Sequence, residues 1–436
     1  MVGSGLALGS SRVGFGSGSS RARSALSSSG SGSGYARVVS RIVTKHLVRL
    51  AVIAGLTAIS IALITGIGLL APTIRQSLEM FIADGAPPQL TSYIGFIADG
   101  VERIAAIFPT LFSAVVALVV YMTITRLVES ERAQIGTLAS LGYSRHHIVA
   151  GYLPFTLLSC LVGGALGLAL GYFVVSPILF DIIQDTFALP DAGHVTPWVG
   201  IFTALGLVVA MLGVTVVAAG ATARTKPTLL FTPKTPPAGK PLFLERFPKL
   251  WNRLAYRHKS TIRNIVRYRI RFFLTVISMG LATLIVYAGL SLSSALNDSN
   301  PELTDTIGPI SALLVIAAII INTLVVYNIT NINIEERVRE IATLKVLGYR
   351  PLEVAGYVFR EIAWLAIFGM LFGLPAGFAM MFWIFDYLQF GGMEFVSWWV
   401  WPATLGFALA SLLLADVLLY RRLVNTDMNG SLKSIE

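Results

Sequence analysis

Charge is what this chain has least of: only 13% of its 436 residues are Asp, Glu, Lys or Arg, against 55% hydrophobic. A soluble domain carries about 25% charged residues, so most of this surface cannot face water, and a mean hydropathy of +0.74 agrees. Cysteine is nearly absent. The single Cys160, set in an apolar run, excludes an intrachain disulfide framework and a cysteine-based zinc site. Histidine is also sparse: His46, His146, His147, His194 and His258 show no ligand spacing, so no metal site is expected and they read as solvated basic residues. A G-x-x-x-x-G-K-[ST] phosphate loop is missing too; Gly239-Lys-Pro241 lacks the upstream glycine and the following hydroxyl. No catalytic residue and no cofactor are expected on this chain.

What it has instead is long apolar runs. A helix needs roughly 20 apolar residues to cross about 30 Å of hydrocarbon. Eight segments qualify, at about 50–73, 104–125, 150–178, 198–222, 272–296, 308–332, 362–386 and 399–420. Their interiors hold almost no charge; Asp416 lies near one end of the last, close to Arg421 and Arg422. The fold class expected is an all-α polytopic membrane protein with eight transmembrane helices. Of the 33 lysines and arginines, 31 fall in alternate segments, 1–49, 126–147, 224–271, 337–360 and 421–433, leaving only Arg75 and Arg103 outside. By the positive-inside rule those segments, and both termini, are expected to be cytoplasmic. Trp198, Trp398, Trp399 and Trp401 then sit at outer span ends as interfacial anchors. The net charge of +10 is thus a matter of topology and lipid head groups, and no nucleic acid is expected as a partner.

Shifting the sequence by 206 positions superimposes its halves without a gap from the second span to the end of the third. Glu129, Ile135, Thr137, Leu138, Leu141, Gly142 and Tyr143 meet identical residues at Glu335, Ile341, Thr343, Leu344, Leu347, Gly348 and Tyr349. The same shift pairs Tyr121 with Tyr327, and Gly163, Gly167 and Gly171 with Gly369, Gly373 and Gly377. An even number of spans precedes the second copy, so the two are parallel four-helix repeats, related by an axis along the membrane normal. The expected organisation is a disordered Gly/Ser-rich cytoplasmic tail (1–38), a first four-span module (39–224), a cytoplasmic linker (225–250), a second module (251–424) and a tail (425–436). Residues 1–34 hold nine glycines and twelve serines, a flexible composition; a start codon placed upstream of the true one is the alternative for this stretch.

The repeated segment carries the densest signal. Ile334, Val338, Ile341, Leu344 and Leu347 recur at steps of three or four, one apolar stripe on a helix that continues the span. Glu335 and Arg339 read as an i, i+4 pair on its wetter face. Gly348 suits a helix C′ position with positive φ, Pro351 the first turn of the next helix, and Ser144 an N-cap in the first copy. The bland reading is an ordinary hairpin; two copies on one side of the membrane favour a docking surface. The glycine rows read as close helix packing, and Pro154 and Pro375 as kinks. Asn322, Thr323, Asn328, Thr330 and Asn331 form a polar run, either interhelical hydrogen bonding or, at Asn322, Thr323 and Asn328, the lining of a polar cavity. Basic amphipathic stretches, 251–271 and the shorter one around Arg37, Arg41, Lys45 and Arg49, suit helices lying on anionic head groups.

Glu336-Arg-Val-Arg-Glu-Ile-Ala-Thr-Leu-Lys-Val-Leu-Gly348, following a long apolar span, resembles the signature of FtsX-like (MacB-type) ABC transporter permeases, and Lys259-Ser-Thr-Ile-Arg-Asn-Ile-Val-Arg-Tyr-Arg-Ile-Arg271 is similar to the segment before the first span of such modules. The resemblance covers nearly everything after residue 38 as two modules. It is weaker in the first copy, where Gln134 stands for Glu340 and Ala139 for Lys345. It implies a cytoplasmic ABC ATPase as partner, in two copies with ATP and magnesium bound there. The ATPase would dock on Glu129, Glu131, Arg132, Gln134, Leu141, Gly142 and Tyr143, and on Glu335, Glu336, Arg337, Arg339, Glu340, Lys345, Leu347, Gly348 and Tyr349, with unequal contacts. Family members export macrolides or peptides, extract lipoproteins, resist antimicrobial peptides or activate cell-wall hydrolases. Most carry a large external domain; here residues 74–103 and 297–307 leave room only for short interfacial helices, so lipoprotein relay and adaptor assembly are not expected. Phe81-Ile-Ala-Asp-Gly85 is echoed there at Phe96-Ile-Ala-Asp-Gly100.

The function implied is the permease subunit of an exporter in a bacterial inner or plasma membrane, moving a lipid, lipopeptide, peptide or hydrophobic drug, with membrane lipids around it. A non-transporting force transmitter or sensor acting on an extracytoplasmic partner is the alternative. An ion-coupled transporter is disfavoured, because the span centres lack the ionisable residues such machines use.

Overall fold

In hydrocarbon every backbone N–H and C=O must be satisfied within its own segment, which leaves helices as the structure these runs can adopt. The computed structural model describes residues 46–190, 198–225, 231, 269–299, 301–389 and 392–424; among them are helices and turns, with no strand. The tails expected at 1–38 and 425–436, nearly all of the linker, and most of both basic stretches lie outside the described residues.

The first module runs α1 (Leu47–Gly68), α2 (Leu70–Ala83), α3 (Pro88–Ser130), α4 (Arg132–Ser140), α5 (Arg145–Ala150), α6 (Leu153–Leu170), a π turn (Gly171–Val175), α7 (Ser176–Phe187) and α8 (Trp198–Ala223). The second runs α9 (Arg269–Ser299), α10 (Pro301–Glu336), α11 (Val338–Val346), α12 (Pro351–Leu388), a 3-10 turn (Met393–Phe395) and α13 (Val400–Val424). Eight stretches among these are long and apolar enough to span a bilayer, so the chain is a multi-pass membrane protein.

Helix pairs repeat between modules. α1 packs on α6 as α9 does on α12, α3 on α8 as α10 on α13, and α1 on α3 as α9 on α10. The modules meet through α1, α3, α9 and α10. In keeping with that central place, the apolar windows of these four spans are 61, 50, 78 and 50% buried, against 33, 28, 44 and 33% for the third, fourth, seventh and eighth spans. The peripheral helices turn Leu161, Phe173, Phe202, Val209, Leu371, Phe372, Leu413 and Val417 outward, the apolar face that acyl chains cover.

The connection around 84–87 departs from expectation in one of its two helices. α2 is a separate helix of 14 residues after the break at Leu69, but the second span runs on unbroken: α3 has 43 residues, roughly 65 Å at 1.5 Å per residue, about twice the hydrocarbon thickness. Ile94, Ile97, Ala98, Val101 and Ile104, spaced by three or four, are fully buried where α3 packs on α2. That stripe keeps the two helices together beyond the bilayer as a hairpin. Gly85, at φ +87, makes the turn, and Arg75 Nη2 ties the pair to Asp99 at 2.8 Å and Glu102 at 2.5 Å. A groove on this hairpin is lined by Leu78, Glu79, Ile82 and Phe96.

The third and seventh spans differ. Pro154 lies in the first turn of α6, after a break at Gly151 and Tyr152; lacking an N–H, it withholds one helical hydrogen bond just where Gly151 weakens the backbone. The seventh span has Tyr357 and Arg360 at these positions and runs unbroken as α12, with Pro375 inside it.

Candidate functional site: two capped turns at one end of the bundle

The 206-residue shift survives in three dimensions to the single residue. α4 and α11 are nine residues each, Arg132–Ser140 and Val338–Val346, and correspond end to end. Each is set off from its long span by one turn residue, Glu131 or Arg337. Each closes on a Schellman motif, in which the residue two past the cap bonds back to the third-last helical carbonyl. Tyr143 N donates to Leu138 O and Tyr349 N to Leu344 O, both at 3.1 Å; Gly142 N donates to Ala139 O at 3.2 Å and Gly348 N to Lys345 O at 3.1 Å. Gly142 and Gly348 hold φ +88 and +86, the left-handed region where a Cβ is costly. The next helix starts at once. Ser144 caps α5, its Oγ accepting from His147 N at 3.5 Å, and Pro351 opens α12, where Glu353 Oε2 accepts from Arg350 N at 2.9 Å.

The side chains at these turns face outward. Leu141 is 70% exposed, Leu347 69%, and Tyr143, Tyr349, Val346 and Leu352 are exposed as well. The apolar stripe predicts Leu347 inside with Ile334 and Ile341; those two are buried, but Leu347 is the cap residue just past the end of α11 and stands exposed at the turn. Two apolar knuckles therefore stand at the basic end of the bundle. Gln134 and Glu340 are exposed beside them.

Several other charged members of the segment instead make contacts within the protein. Glu335 pairs with Arg49 of α1, accepts from Arg422 Nη2 of α13 at 2.8 Å, and takes a bond from Asn331 Nδ2 at 3.3 Å. Arg422 also donates to Asn331. Glu336 pairs with Arg126 of α3 at 2.9 Å, and Arg126 reaches Glu129 at 3.4 Å. Arg337 pairs with Glu361 of α12 at 2.5 Å. Burial opposes charge on Arg337, but the carboxylates of Glu361 and Glu340 outweigh it and hold its pKa above the ordinary value. Lys345 Nζ caps the end of α13 at the carbonyls of Leu423 (3.1 Å) and Val424 (2.7 Å), and desolvation there lowers its pKa. Glu131 is buried and Arg132 half-buried. The side chain of Arg339, and with it the expected i, i+4 pair with Glu335, lies outside the described residues.

Arg49, Arg126, Arg422 and Glu361 did not stand out in the sequence as partners of this segment. The available signal was position: each is a charge at the very edge of an apolar run, where burial demands a counter-ion.

The glycine rows bring helices into contact. A Cβ at Gly167 would lie 2.5 Å from Ala58 O and one at Gly171 2.7 Å from Ala62 O; at Gly163 it would strike Thr57 and Ala54. In the second copy a Cβ at Gly369 would lie 2.6 Å from Met279 Cβ, at Gly373 2.9 Å from Gly280 Cα, and at Gly377 3.0 Å from the Tyr287 ring. Most of the polar run bonds to neighbouring helices: Asn322 Nδ2 donates to Ser411 Oγ at 3.0 Å, Thr323 Oγ1 shares a 3.0 Å bond with that hydroxyl, and Asn328 Nδ2 donates to Thr123 Oγ1 across the module boundary at 3.0 Å, while Asn328 Oδ1 and Thr330 Oγ1 are buried without a hydrogen-bond partner among the described residues. Asn322 and Asn328 are each 1% exposed, so interhelical bonding is the role the geometry gives them.

A family model described as FtsX-like permease C-terminal matches residues 106–227 and again 311–428, together more than half of the chain. No curated protein and no solved structure matches it.

Proposed function

The chain belongs to the FtsX-like permease family, a membrane permease component of an ABC-type system, and from that premise we propose that it is the membrane subunit of an exporter driven by separate cytoplasmic ATPase subunits. The basic end of the bundle then faces the cytoplasm. Two ATPase copies dock on the knuckles Leu141-Gly-Tyr143 and Leu347-Gly-Tyr349, with ATP and magnesium bound on the ATPase. Gln134 against Glu340 makes the two contacts unequal. The observation that carries this reading is the pair of Schellman-capped turns, equal in geometry and equally exposed, at corresponding places in both repeats.

A permease of this kind couples by transmitting nucleotide-driven motion through rigid contacts. The knuckles sit on short helices bound to the long spans through one turn residue each, so displacement of a knuckle acts directly on a span. The lipid-facing sides of the peripheral helices suit a hydrophobic substrate, such as a lipid, lipopeptide, peptide or drug, entering from the bilayer. The α2–α3 hairpin favours a second reading, force transmission to an extracytoplasmic partner, because it exposes Met80, Ile82 and Phe96 clear of the hydrocarbon.

The test is purification of the tagged full-length chain from its own membranes with whatever ATPase co-elutes. Leu347→Asp should lower co-eluting ATPase by roughly tenfold or more, and Leu141→Asp should also lower it, while both variants stay monodisperse because these side chains support no core. Undiminished ATPase in both variants, or none with the wild type, would sink the reading.

A further inference from the structure

Among the residues expected to meet the ATPase, Glu335 and Glu336 instead make their contacts inside the protein. They are the last two residues of α10, immediately before the turn at Arg337 that leads into α11. Between them they hold α1 and α3 of the first module, through Arg49 and Arg126, and α13 of the second, through Arg422. Arg49 is 4% and Arg126 7% exposed. Arginines buried to that degree lose strongly if their partners are removed, so the contacts are not passing surface pairs. At the turn itself Arg337 is held to α12 by Glu361, and beyond it Lys345 is held to the end of α13. The second copy's turn therefore lies among successive charged contacts that reach both modules. At the position matching Glu336 the first copy has Ser130, whose hydroxyl returns to its own helix at Leu127 O, 2.7 Å away.

We infer that Glu335 and Glu336 form a charged link that carries movement of α11 into the first module as well as the second, acting as positioning residues rather than as ATPase contacts. The inference rests on the function proposed above. Because α11 and the link share one turn, a push on the second knuckle must either displace α1 and α3 or break the pairs. A rotation of α10 alone would strand buried arginines, which makes joint movement the lower-energy course.

The experiment uses the full-length chain with its co-eluting ATPase, in a Cys160→Ala background that removes the one native cysteine. Spin labels are placed at Ser130→Cys at the end of α3 and Ala221→Cys in α8, both exposed sites, so that their separation reports displacement of α3 within the first module, and it is measured without nucleotide and with Mg–ATP. The unaltered link should give a nucleotide-dependent change in separation. Glu336→Gln and Arg126→Gln should each reduce that change at least threefold while ATPase co-elution stays within about twofold. The exchange Arg126→Glu with Glu336→Arg should restore most of it. The inference is overturned if the change persists in the single variants, if the exchange fails to restore it, or if all three variants lose the monodisperse complex, which would make the pairs a structural clasp alone. If the unaltered chain shows no nucleotide-dependent change, or no ATPase co-elutes, the proposed function fails and the link falls with it.

Discussion

At Gly348 the backbone sits at φ +86 with open space where a Cβ would go, so backbone conformation alone resists substitution. A left-handed residue costs about 1–2 kcal/mol when it carries a side chain, least for Asn. We expect Gly348→Asn, Gly348→Ala and Gly348→Val to weaken the cap in that order. Hydrogen exchange at the amides of Gly348 and Tyr349 reports it, and an alanine variant as protected as the wild type would contradict the role assigned to the glycine. This part of the site was legible in the sequence, because a Schellman cap is local and its glycine is chosen by a dihedral angle. The contacts of Glu335 and Glu336 were not. Their partners lie as far as 286 residues away along the chain, and no local spacing points to them.

Among the helices, close approach and free surface can be told apart within one residue type. Gly167 of α6 and Gly373 of α12 press on the backbones of α1 and α9, whereas a Cβ on Gly206 of α8 or Gly406 of α13 would meet nothing within 4 Å. Gly167→Ala and Gly373→Ala should therefore destabilise by about 1–3 kcal/mol, the usual cost of overpacking. Gly206→Ala and Gly406→Ala should be neutral or gain up to about 1 kcal/mol in helix propensity. Thermal unfolding in detergent separates the two pairs, and equal shifts in all four would refute the assigned contacts. The row of three glycines four apart announced close packing in the sequence, since residues at that spacing line one helix face. Which helix lay opposite was not readable, because it depends on how the spans are arranged around one another. The hairpin of α2 and α3 was missed for a related reason: its apolar stripe is interrupted by charges, so hydropathy ended the spans early, while the stripe itself sufficed to keep the helices paired.

Taken whole, the molecule buries its modules against each other through α1, α3, α9 and α10, and the bond from Asn328 to Thr123 lies at that junction. Interhelical hydrogen bonds of this type in membranes are worth about 0.6 kcal/mol and reach about 1.7. A double-mutant cycle with Thr123→Val and Asn328→Leu should return a coupling energy in that range. Strict additivity would mean that the modules do not touch there in the membrane.

The sequence by itself determined the membrane, the eight spans, the repeat and the two capped turns, because each rests on composition, length or neighbours within a few residues. Only the tertiary structure decided which charges of the repeated segment face outward and which bind inward. That choice depends on which helices meet at the basic end of the bundle, and a buried arginine takes whichever carboxylate the packing brings to it.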